Sequence, residues 1–175
     1  MKKNVLVFGL ISGVIISILM VIFTAINSST LNYDLGMVLG YSSMILAFSF
    51  VFVGIKNYRD KYNDGVIKFG KAFQVGILIA LISSTFYVLT WLVEYYFFIP
   101  DFMDHYAEHM LKTMRDSGAS PADIEQTTAQ MADYKEMYKN PVFVILLTYM
   151  EVLPVGLLFT IASALILKRK AAPAL

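Results

Sequence analysis

Four long apolar stretches, separated by charged segments, constrain the fold of this chain of 175 residues more than any other feature. The first three, Val5 to Ile26, Leu35 to Ile55 and Ala72 to Val93, contain no charged residue. The fourth, Pro141 to Leu167, contains one acid, Glu151. A helix needs about 20 apolar residues to cross a hydrocarbon core of about 30 Å. We therefore predict four transmembrane helices, at about residues 4–27, 35–56, 71–99 and 141–167.

Composition supports a bilayer as the solvent, because 58% of the residues are hydrophobic and only 15% are charged. A soluble domain of this length could not bury so much apolar surface. The predicted class is an all-α polytopic membrane protein with a single membrane domain over residues 1–175. The net charge of +1 argues against a nucleic-acid partner. The absence of cysteine excludes disulfides, thiolate metal sites and thiol nucleophiles.

The basic residues indicate the orientation of the chain. Ten of the fourteen precede the first stretch, separate the second from the third, or follow the fourth. By the positive-inside rule these segments are cytoplasmic. We expect both termini in the cytoplasm and the protein in the inner (cytoplasmic) membrane. The ten residues are Lys2, Lys3, Lys56, Arg59, Lys61, Lys68, Lys71, Lys168, Arg169 and Lys170.

The polar segment between the third and fourth stretches has periodic rather than continuous hydrophobicity. It predicts two short helices that form an extracytoplasmic hairpin over about residues 101–139. Ser120 is a good N-cap for the second helix, and Pro121 sits where a missing N–H costs nothing.

Three short motifs carry a family resemblance: Gly54 to Asp60, Gly65 to Ala72, and Glu151 to Gly156 ahead of a basic end. Together with the four-helix layout, they resemble the bacterial membrane family known as domain of unknown function 4199. The resemblance covers nearly the whole chain. It implies no activity, cofactor or active-site residue.

Glu151 is the acid placed clearly within a predicted span, about 25 Å above the cytoplasmic edge and level with Tyr87. An acid at that depth is costly and normally faces the bundle interior or a cavity. We expect Glu151 to face Tyr87 and Thr90 of the third helix. It either carries a proton, ion or ligand, or makes a structural hydrogen bond to a hydroxyl. Glu94 completes this candidate polar site, at the outer interface where its carboxylate can reach water.

His105 and His109 are four residues apart, a spacing that can hold a transition metal. Because the spacing supplies no third ligand, a solvated helix face is the preferred interpretation, and we predict neither a metal site nor any cofactor.

Three further patterns each allow two interpretations. The pairs Gly9/Gly13 and Gly36/Gly40 allow close packing within the bundle or a homodimer contact. The methionines of the polar segment form the seam between its two helices or an adaptable binding surface. The basic and aromatic loop after the second helix anchors the chain to headgroups or makes a regulatory contact. The methionines are Met103, Met110, Met114, Met131 and Met137.

The sequence favours a non-enzymatic membrane protein with a structural or interaction role. No span contains histidine or cysteine, and no Ser–His or paired-acid arrangement lies at membrane depth. The expected partners are the lipid bilayer and either further copies of the chain or another membrane protein. The alternative is a small transporter or channel component that uses Glu151.

Overall fold

The computed structural model describes residues 1–27 and 33–169 and contains six helices in this part of the chain. Apart from one isolated bridge, these residues form no β-structure, which confirms the all-α class. The connection between the first two apolar helices, residues 28–32, and Lys170 lie outside the described residues. The helices are α1 (Lys2–Asn27), α2 (Tyr33–Tyr62), α3 (Phe69–Phe97), α4 (Phe102–Asp116), α5 (Pro121–Tyr138) and α6 (Pro141–Leu167).

Local sequence signals explain where α5 and α6 begin. The Ser120 side chain accepts a hydrogen bond from the Asp123 N–H over 3.2 Å, which confirms the predicted N-cap. Asn140 caps α6 in the same manner, because its Oδ1 accepts from the Val142 N–H over 3.0 Å. In both helices proline follows the cap, where its missing N–H is not needed.

The four long helices α1, α2, α3 and α6 form one bundle, in which α3 contacts each of the others. Small residues allow these close approaches. A Cβ added to Gly13 of α1 would lie 2.6 Å from Cγ of Phe86 in α3. A Cβ added to Gly76 of α3 would lie 2.8 Å from Cδ1 of Ile55 in α2. The pair Gly9/Gly13 therefore serves contacts within this chain.

The outer surface of the bundle is apolar. Val38, Leu158 and Ile166 are 62%, 67% and 70% exposed, and similar side chains cover the outward faces of all four helices. Each of these helices is long and apolar enough to cross a membrane, yet at most 44% of its most apolar window is buried inside the protein. Such a surface is stable against lipid rather than water, so the chain is a membrane protein with a helical bundle.

The end of the bundle that carries the basic residues is held by backbone contacts. Ile67 and Arg169 exchange two hydrogen bonds of 3.0 and 2.9 Å, which tie the α2–α3 connection to the residues after α6. The Arg59 guanidinium also donates to the Leu167 carbonyl over 3.4 Å. Asp64 and Gly65 form the turn in this connection, both with positive φ.

The two shorter helices lie at the opposite end. α4 and α5 pack against each other, joined by a turn in which Gly118 has a φ of +76°. Lys135 of α5 forms a salt bridge with Asp104 of α4. We call these two helices the α4–α5 pair.

Candidate functional site

A cavity of about 550 Å³ lies where the α4–α5 pair meets the bundle. All six helices contribute to its wall, which is mostly aromatic and aliphatic. A cavity of this size that gathers a few polar groups is the usual form of a small-molecule site. Its wall includes Met20, Thr24, Tyr33, Gly36, Gly40, Tyr41, Tyr87, Trp91, Asp101, Phe102, Met103, His105, Tyr106, Met131, Tyr134, Tyr138 and Glu151.

Glu151 of α6 is the acidic residue that the long helices contribute to this wall. More than a third of its surface is accessible. The hydroxyl of the buried Tyr87 donates to its Oε1 over 3.5 Å, which is long for a hydrogen bond to a carboxylate. Glu151 therefore retains hydrogen-bonding capacity toward the cavity.

Pro154 lies within α6, three residues after Glu151. Proline has no N–H to donate to the carbonyl four residues earlier, which belongs to Met150. That carbonyl and the Glu151 carboxylate belong to consecutive residues of the predominantly apolar α6.

Two tyrosines of the α4–α5 pair experience the charge of Glu151. Burial raises the pKa of Tyr138 to about 12, and the negative charge of Glu151 adds to this shift, whereas a hydrogen bond with Trp91 opposes it. Burial and then the charge of Glu151 also raise the pKa of Tyr106. The Glu151 carboxylate thus acts on both α4 and α5 across the cavity.

Aromatic contacts hold the α4–α5 pair on the bundle. The Tyr33 ring of α2 lies 6.0 Å from that of Phe102 and 5.9 Å from that of Tyr106. On α3, Trp91 meets Phe102 edge to face at 4.9 Å. These rings form one side of the cavity, so the site depends on the docking of the pair.

The charged groups of the wall are acidic, apart from one histidine. Glu151 and Asp101 contribute carboxylates, and His105 Nε2 lies 3.0 Å from Asp101 Oδ2. No lysine or arginine of the described chain lines the cavity. The site is therefore suited to neutral or positively charged molecules and unsuited to anions.

The polar side chains of α3 are divided between two neighbouring helices, α1 and α6. Tyr87 faces Glu151 as expected, but Thr90 donates to Ser17 Oγ of α1 over 2.7 Å and does not line the cavity. Ser83 likewise accepts from Ser12 of α1 over 2.8 Å. Neighbouring polar residues of α3 therefore meet different helices.

The expectation that Glu94 reaches water is wrong. Its residue surface is only 4% exposed, its Oε2 accepts a hydrogen bond from Thr24 of α1 over 2.8 Å, and its Oε1 has no hydrogen-bond partner. Its position near the end of α3 suggested an interface, but α1 covers this face. The hydroxyls of Ser12, Ser17 and Thr24 in an otherwise apolar span were the available signal for these contacts.

His105 and His109 are not brought together around a common centre. His105 pairs with Asp101, whereas the His109 ring packs 5.0 Å from that of Tyr33, with its Nε2 3.9 Å from Asp34 Oδ1. The described residues contain no group of three or more side chains able to hold a metal ion.

The methionines of the polar segment have different environments. Met103 and Met131 are buried and line the cavity, whereas Met137 is exposed. Gly36 and Gly40 also line the cavity, and a Cβ at Gly40 would meet no atom within 4 Å. Sequence reasoning missed the cavity, whose wall combines residues from helices far apart in the chain.

Comparison with known proteins identifies the family but no function. The model of the family described as "Protein of unknown function (DUF4199)" matches residues 7–169, so the chain belongs to this family. No curated protein and no solved structure matches the chain.

Proposed function

We propose that this member of the DUF4199 family is a non-enzymatic membrane protein that binds a small molecule in the cavity above Glu151. The observation that carries the proposal is an acid, Glu151, with more than a third of its residue surface accessible, in the wall of a cavity lined by all six helices. An acid in an apolar helix is costly to keep, which favours a role for it.

The proposed topology places α1, α2, α3 and α6 across the cytoplasmic membrane, with both termini in the cytoplasm. The distribution of lysine and arginine supports this orientation, since the basic segments all lie at one end of the bundle. The α4–α5 pair is then an extracytoplasmic hairpin, and the cavity opens within the outer half of the membrane.

The contrast between two acids supports a ligand-binding role for Glu151 over a purely structural one. Glu94 is buried between α1 and α3, where only its Oε2 is bonded, to Thr24, and it does not line the cavity. Glu151 has one long hydrogen bond and an accessible surface. A ligand with a complementary group would satisfy it.

Transport is the second candidate function, and Glu151 is the residue that favours it. Against a preformed channel, the core toward the basic end is filled by side chains with no exposed surface, including Phe48, Val51, Ile55 and Ile79. Transport would require this core to repack, so we place binding first.

The outward face of the α4–α5 pair is the surface that we propose for a membrane partner or a second copy.

The test uses Trp91, the only tryptophan in the chain, which lines the cavity. The purified protein in uncharged maltoside micelles is titrated with N-phenyl-1-naphthylamine, an uncharged apolar dye that accepts energy from tryptophan. We expect saturable energy transfer from Trp91. Gly40→Leu, which fills open space in the cavity, should abolish the saturable component.

The matched control is Gly70→Leu, because Gly70 also has open space around its Cβ position but lies near the basic end of α3. This variant should bind the dye like the wild type. Equal, non-saturating transfer in all three proteins would mean that the dye occupies only the micelle, and would overturn the proposal.

A further inference from the structure

We infer that the ligand of this cavity is an organic cation, an ammonium or phosphonium group that carries apolar substituents. The inference rests on the proposed function and names the chemical class that the same site selects. It follows from the charges of the wall, its aromatic composition and its exposed side.

The charges of the wall exclude an anion and favour a cation. Glu151 and Asp101 are its carboxylates, and Asp101 already has His105 as a partner. The four basic residues of the α4–α5 segment, Lys112, Arg115, Lys135 and Lys139, are absent from the wall. An anion here would meet carboxylates and no lysine or arginine, whereas a cation would supply the opposite charge that no salt bridge of the described residues gives to Glu151.

The aromatic wall suits an organic cation better than a metal ion. Tyr87, Trp91, Tyr106 and Tyr138 line the same cavity as Glu151, and aromatic rings attract cations of low charge density. A metal ion requires several ligating side chains, and the described residues offer no group of three. Ammonium or phosphonium groups with apolar substituents also lose less hydration on leaving water.

The exposed side of the wall explains why the cation would carry apolar substituents. On α2, Met37 and Tyr41 line the cavity and are 59% and 45% exposed, and Gly40 between them leaves open space. Substituents of a bound cation could extend past this helix to the apolar surroundings. The cation could belong to a free molecule or to the headgroup of an ammonium lipid.

The experiment is a competition between tetraphenylphosphonium and tetraphenylborate, ions of nearly equal shape and opposite charge, for the site occupied by N-phenyl-1-naphthylamine. It uses the full chain in uncharged maltoside micelles, which contain no ammonium group. We expect tetraphenylphosphonium to displace the dye from the wild type and tetraphenylborate to leave it bound. In Glu151→Gln, the dye should bind as before, and the affinity for tetraphenylphosphonium should fall by about 10-fold or more.

The outcomes separate the two proposals. If the dye shows no saturable binding, the proposed function fails. If the dye binds but both ions displace it equally, or if Glu151→Gln leaves the affinity for tetraphenylphosphonium unchanged, the cavity binds ligands without selecting cations and this inference alone is overturned. Gly70→Leu serves as the control for unspecific effects. If Glu151→Gln fails to fold, the comparison of the two ions on the wild type still decides.

A further titration distinguishes the two sources of the cation. Phosphatidylcholine or phosphatidylglycerol is added to the micelles before the competition. A loss of affinity for tetraphenylphosphonium with the choline lipid alone supports a lipid headgroup as occupant. Unchanged affinity with both lipids supports a free organic cation.

Discussion

The hydroxyl of Tyr87 reaches Oε1 of Glu151 over 3.5 Å, and this contact joins α3 to α6 in the wall of the cavity. The acid of α6 therefore lies beside a buried residue of α3. Its length indicates a weak hydrogen bond, so most of the hydrogen-bonding capacity of the Glu151 carboxylate remains unused.

We therefore expect Glu151→Leu to stabilise the protein, by about 1 to 3 kcal/mol, because it removes the cost of a carboxylate in an apolar helix. The measurement is the thermal unfolding midpoint in maltoside micelles. Tyr87→Phe should change the free energy of unfolding by less than about 1 kcal/mol. A marked loss of stability in both variants would show that the contact is structural, the alternative that the sequence left open.

The pKa of Tyr138 should report the charge of Glu151. Since burial and this charge hold the pKa at about 12, Glu151→Gln should lower it toward the usual value of 10.0 without reaching it. Tyrosine ring carbon shifts followed by NMR against pH provide the measurement, with Tyr138→Phe to assign the resonance. An unchanged pKa would place the Glu151 charge away from Tyr138.

The same shift predicts how stability depends on pH. The folded state holds the Tyr138 proton more tightly than the unfolded chain, so its contribution to stability is complete below pH 10 and decreases as the pH rises from 10 to about 12. Tyr138→Phe should reduce this decrease, as measured by unfolding midpoints across that range. Identical pH profiles for the two proteins would contradict the assignment.

Two glycines should differ sharply in their tolerance of a methyl group. Gly13→Ala places a Cβ 2.6 Å from Cγ of Phe86, close to the α3 backbone, and should destabilise the bundle by about 1 to 3 kcal/mol. Gly40→Ala meets no atom within 4 Å and should be neutral or slightly stabilising. Unfolding in maltoside micelles compares the two variants directly, and equal losses would argue against the α1–α3 contact.

The buried contact between Thr24 and Glu94 should contribute to stability. Thr24→Val leaves both oxygens of the Glu94 carboxyl without a hydrogen bond, since Oε1 already lacks one, and should cost about 1 to 2 kcal/mol. Thr24→Ser keeps the hydroxyl and is the control. If Thr24→Val unfolds at the wild-type midpoint, the hydrogen bond is not formed in solution.

The proposed topology can be tested because the chain has no cysteine, so that any introduced cysteine is unique. Ser117→Cys, in the exposed turn after α4, should react with a membrane-impermeant maleimide. The reagent is applied to cells from which any outer membrane has been removed and in which the cytoplasmic membrane is intact. Tyr62→Cys, exposed at the end of α2, should react only after the membrane is permeabilised. The reverse pattern would invert the orientation.

The sequence by itself determined the features that depend on neighbouring residues. The apolar stretches predicted four long helices, and the caps at Ser120 and Asn140 together with the Asp64–Gly65 turn show the same local control. Hydropathy, capping and turn chemistry act over a few residues, so one chain is enough to read them.

Only the tertiary structure decided what each helix face meets. Glu94 and Glu151 are both acids in apolar helices, yet α1 covers the first and the second opens into a cavity. Thr90 likewise donates a hydrogen bond to Ser17 because α1, and not α6, packs against that side of α3. The rotation of each helix about its axis depends on contacts between distant segments, such as Gly13 against Phe86. A cavity with walls from six helices forms only when all of them have packed.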